Sequence, residues 1–275
     1  MKKTTVLLVI LSAAFCNAQS IKPQSNIKLA STLKKQSNTV TTSAIRVSGQ
    51  ILNMSSNNTS ELEYSILKKN GDSAVVEMKL QKFKTSNESM GNKTSYNSED
   101  LLNGNTEASQ QLDGLIGSIT KLTINKQAVI TNVEQSKKAA DLLKGNSSLM
   151  SGILKGTTLD IFFIVKNDKN IGDTWVDSTI TESNKTIDTF TYKTLDKNIA
   201  TIEVKSSLAM KQEMQQMGMT MQSNFIGTVN SIIQIDVTTL LVKKKTSTSN
   251  LTGTMNTKDM EIPLTTTITT TDIIE

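Results

Sequence analysis

The sequence predicts a mainly β (α+β) protein: antiparallel, twisted sheets arranged as two similar halves or a half-barrel, with a few short helices in the middle. Three observations predict this class. β-Branched Thr, Val and Ile outnumber Ala and Leu, which favours strands over helices. Apolar and polar residues alternate with a period of two in several segments. Turn residues punctuate those segments at short intervals. With 2 Pro and 13 Gly among 275 residues, a collagenous or proline-rich linker protein is excluded. The 36% hydrophobic fraction is enough for one or two packed domains.

Taken in order, residues 1–18 read as a secretory leader. Lys2 and Lys3 supply the positive start, Val6 to Phe15 the apolar stretch, and Cys16-Asn17-Ala18 the small residues before cleavage. Cleavage after Ala18 would start the exported chain at Gln19. A lipoprotein reading would modify Cys16, but Phe15 is bulky where that peptidase wants Gly, Ala or Ser, so ordinary export is expected. Residues 19–26 read as a polar, disordered start.

Residues 27–133 form a first β-rich half. Ser73 to Gln81 alternates, with Ala74, Val76, Met78 and Leu80 on one face and Glu77, Lys79 and Gln81 on the other. Asn70-Gly71-Asp72 before it is a hairpin turn signal, because Asn and Gly tolerate positive φ. Residues 87–105 are polar and read as a long loop. A short helix is expected after Thr106, carrying Leu112, Leu115 and Ile116 on one face. Residues 119–133 read as a hairpin turning at Asn125-Lys126.

Residues 134–156 read as a helical connector. Asn132 is placed to cap a helix running through Leu143 to a stop at Gly145. A further short helical piece is expected from Ser147 or Ser148 through Leu154, stopped by Gly156. Residues 157–275 form a second β-rich half. It opens on Leu159 to Val165, LDIFFIV, the most apolar run after the leader, expected as a strand or turn buried on both sides. Extended patterns then run from Trp175 to the end, with Pro263 opening the last strand, where a missing N–H is least costly.

The two halves share an ordered set of residues. Tyr64-x-x-Leu67-x-Lys69-Asn70 returns as Tyr192-x-x-Leu195-x-Lys197-Asn198, and Ala74-x-Val76-Glu77-x-Lys79 as Ala200-x-Ile202-Glu203-x-Lys205. Met90-Gly91 and Ile116-Gly117 then correspond to Met217-Gly218 and Ile226-Gly227. Such an order suggests a duplicated hairpin unit.

The chemistry open to the chain is narrow. It has no His, and its only Cys lies in the leader. This removes disulfides, thiolate nucleophiles, the usual zinc ligand sets and every histidine triad from the exported chain. Carboxylate pairs such as Glu61/Glu63 and Asp173/Asp177 carry no mark of catalysis. A net charge of +5 is not the footprint of a nucleic-acid binder, and aromatics at 4% give no stacking surface. No stretch after the leader reaches the roughly 18 apolar residues of a membrane helix.

Two features remain as ligand-facing candidates. Met210, Met214, Met217, Met219 and Met221 cluster in MKQEMQQMGMTMQ. They suit simple core packing, a soft ligand-facing surface, or a copper(I) site built from thioethers. Trp175, the only tryptophan, follows the turn signal Gly172-Asp173 and reads as an anchor over a sheet edge more readily than as a sugar platform.

The leader, Gly172 to Trp175 as a central Gly-Asp-x-Trp motif, the Met217 to Met219 segment and Ile235-Asp236 together make the chain resemble a family of uncharacterised exported bacterial proteins, a domain of unknown function. Val237-Thr238-Thr239-Leu240 departs from that pattern, lacking the expected Gly. The layout is also similar to the half-barrels of periplasmic lipoprotein and lipid carriers. That resemblance implies an architecture and assigns no activity or cofactor. The function expected is an exported, non-enzymatic binding protein holding a lipid or other apolar or amphiphilic ligand. The alternative is a structural or cell-surface interaction protein of the envelope.

Overall fold

The computed structural model describes residues 20–22, 32–47, 49–100, 109, 112–135, 155–180, 183–216, 219–256 and 260–275. Nearly all of these are antiparallel strand. The short strands β1 (Ser20–Ile21) and β8 (Lys169–Asn170) pair with each other. Every other strand belongs to one sheet of twelve.

The first part of the chain supplies β2 (Thr32–Val47), β3 (Gln50–Asn70), β4 (Ser73–Ser89), β5 (Asn92–Asn97), β6 (Ile119–Asn125) and β7 (Ile130–Gln135). The second supplies β9 (Thr174–Ile180), β10 (Asn184–Asp196), β11 (Ile199–Gln216), β12 (Met219–Asp236), β13 (Val242–Asn256) and β14 (Glu261–Ile274). The order across the sheet is β7-β6-β4-β3-β2-β14-β13-β12-β11-β10-β9, with β5 pairing β4 beside β6. Strands β7 and β9 are the two ends and do not meet, so the sheet is open. The seam between the two parts is the pairing of β2 with β14, the first long strand with the last.

Alternation decides which face is inner. Ala74, Val76, Met78 and Leu80 are buried on β4, as their spacing predicts, and Tyr64 and Leu62 face the same side from β3. A bulge at Gln81 shifts the phase, so Phe83 and Thr85 continue the inner face. On the second part Tyr192, Ile202, Val204, Ile233 and Ile235 form the matching patch. Tyr64 pairs with Met78 and Tyr192 with Ile202, each in the first strand of its hairpin.

The turns that follow are also alike. Asn125 Oδ1 accepts the N–H groups of Gln127 and Val129, and Asp236 Oδ1 those of Thr238 and Thr239, at 2.8 to 3.1 Å. Each turn ends on a buried residue at positive φ, Ala128 at 56° and Leu240 at 57°. The sequence repeat pairs Ile116-Gly117 with Ile226-Gly227. The strand register instead sets Leu122 and Ile124 against Ile233 and Ile235, one residue away.

The run LDIFFIV crosses beneath both turns. Leu159 N–H donates to Ala128 O, Phe163 N–H to Leu240 O, and Val242 N–H to Ile161 O, each at 2.9 Å. Isolated bridges Val129↔Thr158 and Phe162↔Leu241 complete the seal. Leu159, Ile161, Phe162, Phe163 and Val165 are buried, so a turn-rich connector, not a strand, closes the core.

Several expectations are corrected. The long polar loop at 87–105 is instead the end of β4, a tight turn at Met90-Gly91 with φ of 51° and 80°, and β5, as far as Asn97. Asn132 caps no helix: it lies within β7, whose pairing with β6 continues to Gln135. Helical turns are confined among the described residues to the stretch around Ser109 and Leu112-Asp113. The helical connector expected at 134–156 mostly lies outside the described residues, as does the leader; of the disordered start expected at 19–26, Ser20 and Ile21 are instead the paired strand β1, with Ile21 buried, and 19 and 23–26 lie outside the described residues.

Tyr64 and Tyr192 are both buried, but only Tyr64 has a partner for its hydroxyl, Asp160 Oδ1 at 3.3 Å. Tyr192 Oη has none among the described residues. Tyr64→Phe is expected to cost about 1 kcal/mol in urea unfolding, whereas Tyr192→Phe, which removes an unsatisfied buried hydroxyl, should gain about as much. Equal losses would refute the contrast.

Burial alone would raise the pKa of Asp236, but the side chain and N–H of Thr238 and the N–H of Thr239 outweigh burial and hold it below the usual range. A depressed carboxyl contributes stability above its unfolded pKa, near 4, and loses it as pH falls through the folded value. Asp236→Ala is therefore expected to cost about 1 kcal/mol at pH 7 and to lose that effect in strong acid. A pH-independent difference between variant and parent would contradict this.

Candidate functional site

The inner face is banded along the strands, and the register shows the bands rung by rung. Nearest the connector lies the apolar core. Above it come two rungs dominated by hydroxyl and amide side chains. One reads Ser231, Ser247, Thr270, Thr39 and Asn58 across β12 to β3, and the next reads Ser206, Val229, Ser249, Ile268, Thr41 and Ser56 from β11 to β3, its hydroxyls interrupted by Val229 and Ile268. Thr39 Oγ1 and Thr270 Oγ1 lie 3.2 Å apart, and two rungs farther on, Ser43 Oγ and Thr266 Oγ1 lie 2.9 Å apart.

Beyond the hydroxyl belt the face turns apolar again on the second part of the sheet. Leu208, Gly227 and Leu251 share one rung; Met210, Phe225, Gly253, Leu264, Ile45 and Leu52 share the next. Leu251 and Leu264 are buried, yet they stand outside the main core cluster, separated from it by the belt. Gly227 lies opposite Leu251 and Gly253 opposite Phe225, so each large side chain covers a glycine. The outcome is an apolar band, a polar belt and an apolar core in sequence on one face.

Where the belt meets the core on the seam sits a charge cluster. Lys35 Nζ lies 2.5 Å from Asp160 Oδ2 and 3.4 Å from Asp272 Oδ2. Burial alone would lower its pKa, but the two carboxylates outweigh burial and keep it raised. Burial, then Asp160, pushes the Tyr64 hydroxyl well above its ordinary value, so it remains a donor. Among the described residues no group of three or more His, Cys, Asp and Glu is placed to hold a metal ion.

The residues singled out by sequence are distributed unevenly. Met210 is on β11 in the distal apolar band, half-buried and paired with Phe225. Along the same hairpin the backbone sets Met214 against Met221 and Gln216 against Met219. Met217 lies outside the described residues. Trp175 is on the end strand β9, stacked on Phe190 with centroids 5.3 Å apart and 9° between planes. Phe163 meets both rings edge-on, and Lys169 Nζ lies 5.0 Å from the Trp175 ring centroid. Trp175 is thus an anchor between connector and sheet edge, away from the Met-rich hairpin.

A shallow groove of about 790 Å³ opens at the distal end of β2, β3 and β14. Its lining includes Thr42, Asn53, Thr265 and Thr267, which alternate onto the outer face, with Glu88 beside them. Ser43, Leu52, Met54 and Thr266, which alternate onto the inner face, line it as well. Sequence reading missed the band's Phe225, Leu251 and Leu264. The signal was present: Ser223, Phe225, Gly227, Val229, Ser231, Ile233 and Ile235 occupy alternate positions of β12.

Residues 146–242 match DUF6263, a family of unknown function. The matched span contains the Gly172-Asp173-Thr174-Trp175 turn, the Met-rich hairpin and most of the connector. None of the curated proteins matches the chain. Among solved structures, one of lipovitellin, described for its lipid–protein interactions, superposes with a TM-score of 0.51 at 12% identity. The alignment covers 90% of this chain and 25% of that one, so this chain spans a quarter of lipovitellin's length, and the likeness is one of fold. An outer membrane channel from Pseudomonas putida F1 aligns over 93% of this chain and 100% of that one at 8% identity, with a TM-score of 0.26. No helix among the described residues is long and apolar enough to cross a membrane.

Proposed function

We propose that the protein is an exported, non-enzymatic binding protein that holds an amphiphilic ligand against the distal inner face of the sheet. The observation carrying this reading is the banding. Leu208, Met210, Phe225, Leu251 and Leu264 offer apolar surface to an acyl or similar chain, and the hydroxyl belt beside it offers hydrogen bonds to a polar head. The fold shared with lipovitellin, whose structure is described for lipid–protein interactions, supports the ligand class. Export rests on the leader read in residues 1–18.

Delipidated protein titrated with a fluorescent fatty acid is expected to bind it saturably. Leu208→Lys, which places a charge in the band at a half-buried position, should weaken binding at least about tenfold. Absence of saturable binding to fatty-acid and phospholipid probes would overturn the reading.

A second reading, a surface protein of the envelope, has an observation of its own. Four rungs on the outer face across β12, β13, β14 and β2 carry no charged residue. They include Thr228-Asn250-Thr267-Thr42 and Asn230-Thr248-Thr269-Val40. In that case Thr267→Lys with Thr269→Lys should lower association with the producing cell's envelope, while Leu208→Lys leaves it unchanged.

A further inference from the structure

The charge cluster at the seam supports an inference independent of ligand binding. Lys35 is on the inner side of β2, its side chain 9% exposed, with buried Leu62 and Ile274 as its cross-strand neighbours. Asp160 reaches it from the connector, 125 residues along the chain, and Asp272 from β14. Each carboxylate has one oxygen engaged by a hydroxyl and the other turned to the amine. Tyr64 donates to Asp160 Oδ1 at 3.3 Å, Ser37 donates to Asp272 Oδ1 at 2.6 Å, and the two Oδ2 atoms approach Nζ.

We propose that Lys35 and Asp160 become joined by an amide bond between Nζ and Cγ, with Asp272 carrying the protons. The amine begins as an ammonium, since the two carboxylates favour the charged form. Asp272 Oδ2 accepts a proton from it, which frees the lone pair for attack on Asp160 Cγ. Of the three protons on Nζ, one stays on the amide nitrogen. The other two pass through Asp272 to Asp160 Oδ2, whose bond to Cγ breaks as it leaves as water. Asp272 ends as the carboxylate it began as. One cation and one anion become a neutral amide and one water, so no oxidant or other reactant is required.

Three features of the site favour the step. As an ion, the buried Lys35 carries a desolvation cost that a neutral amide does not. The connector and sheet hold the reacting groups in contact, which replaces a bimolecular encounter by an effective concentration of about 10⁵ M or more. The Tyr64 hydroxyl sits on the oxygen that becomes the amide carbonyl and steadies charge there during attack. Asp160, with its side chain 34% exposed, leaves water a way out. The bond would tie the connector to the seam in a chain whose only cysteine belongs to the expected leader.

The test is mass spectrometry of the purified full-length exported protein, first intact and denatured, then after trypsin. The expected result is a chain lighter by one water than the sequence counted from its own N-terminal residue, and a branched peptide joining Lys35 to Asp160, with cleavage after Lys35 blocked. Lys35→Met and Asp160→Ala should each restore the full mass, and Asp272→Asn should leave the two residues unjoined. Folded wild-type protein at full sequence mass, with Lys35 open to trypsin, overturns the proposal whatever the variants do. A branch from Lys35 to Asp272 overturns the choice of acceptor, and a joined Asp272→Asn chain overturns the role of Asp272.

Discussion

Alanine at Gly227 or at Gly253 is expected to destabilise the protein by about 3 kcal/mol each. A Cβ on Gly227 would lie 2.1 Å from the Asn250 carbonyl oxygen and 2.8 Å from Leu251 Cδ2. One on Gly253 would lie 2.1 Å from the Asn224 oxygen and 2.8 Å from Phe225 Cδ1. A flexible side chain could move aside, but a carbonyl oxygen on a paired strand cannot move without opening the ladder between β12 and β13. Since Leu251 and Phe225 rest on these glycines, the distal apolar band would be disrupted with the strands. A loss of about 3 kcal/mol corresponds to a fall in Tm of roughly 6–12 °C in a chain of this size. Thr228→Ala, on the outer face between them, should change Tm little. A Gly227→Ala protein that loses less than about 1 kcal/mol would show that the strands can separate cheaply there. Fatty-acid binding by either alanine variant should fall with the band, even at temperatures where the variant remains folded.

The β class and much of the hairpin register were legible because alternation and turn chemistry are local. Ala74 to Leu80 on one face, the Asn70-Gly71-Asp72 turn and the hairpin at Asn125-Lys126 all rest on residues within a few positions of one another. Where reading failed, apolar alternation was missing. β5 has Tyr96 as its only buried side chain, so NKTSYN reads as loop, and only the pairing of Ser89 with Asn92 and Lys84 with Asn97 makes it a strand. Asn132 sits on a strand with one fully buried residue, Ile130, and its side chain resembles a cap for want of that context. The bulge at Gln81 is likewise silent in sequence, although it decides that Phe83 faces inward.

The candidate site was legible in its residue types more than in its layout. Met210 does stand in the distal band, but the belt separating that band from the core is made of Ser, Thr and Asn contributed by β3, β2, β14, β13 and β12. No one of these strands shows the belt by itself, because it exists only as rungs across the sheet. The charge cluster is more distant still. Lys35 lies in a polar string, KKQSN, and its partners come from the connector and from Asp272 on the last strand. Only the pairing of the first long strand with the last brings Asp272 beside Ser37 and leaves Lys35 facing Asp160. Nothing in that string marks Lys35 for burial, and the topology buries it.

Phe163→Ala should cost about 3–5 kcal/mol and change the fluorescence of Trp175 at the same time. Phe163 is 8% exposed and stands between the connector and the sheet edge, with ring centroids 5.8 Å from Phe190 and 6.4 Å from Trp175. Its backbone N–H is already committed to Leu240 O, so the connector cannot slide to refill the space without losing that bond. Truncation therefore leaves a cavity beneath the stacked Trp175–Phe190 pair. Among the described residues β9 pairs only with β10, and Phe163 and Lys169 are what meet the Trp175 ring from outside those two strands. The expected readout is a red shift of emission and easier quenching by iodide in the folded variant, together with the lost stability. Leu159→Ala, in the same connector but beneath the turn at Ala128, should lose about 2–5 kcal/mol without moving the Trp175 signal. If Phe163→Ala left emission unchanged, the aromatic cluster would not be what attaches the connector to β9 and β10, and the apolar run would be held through the two turns alone.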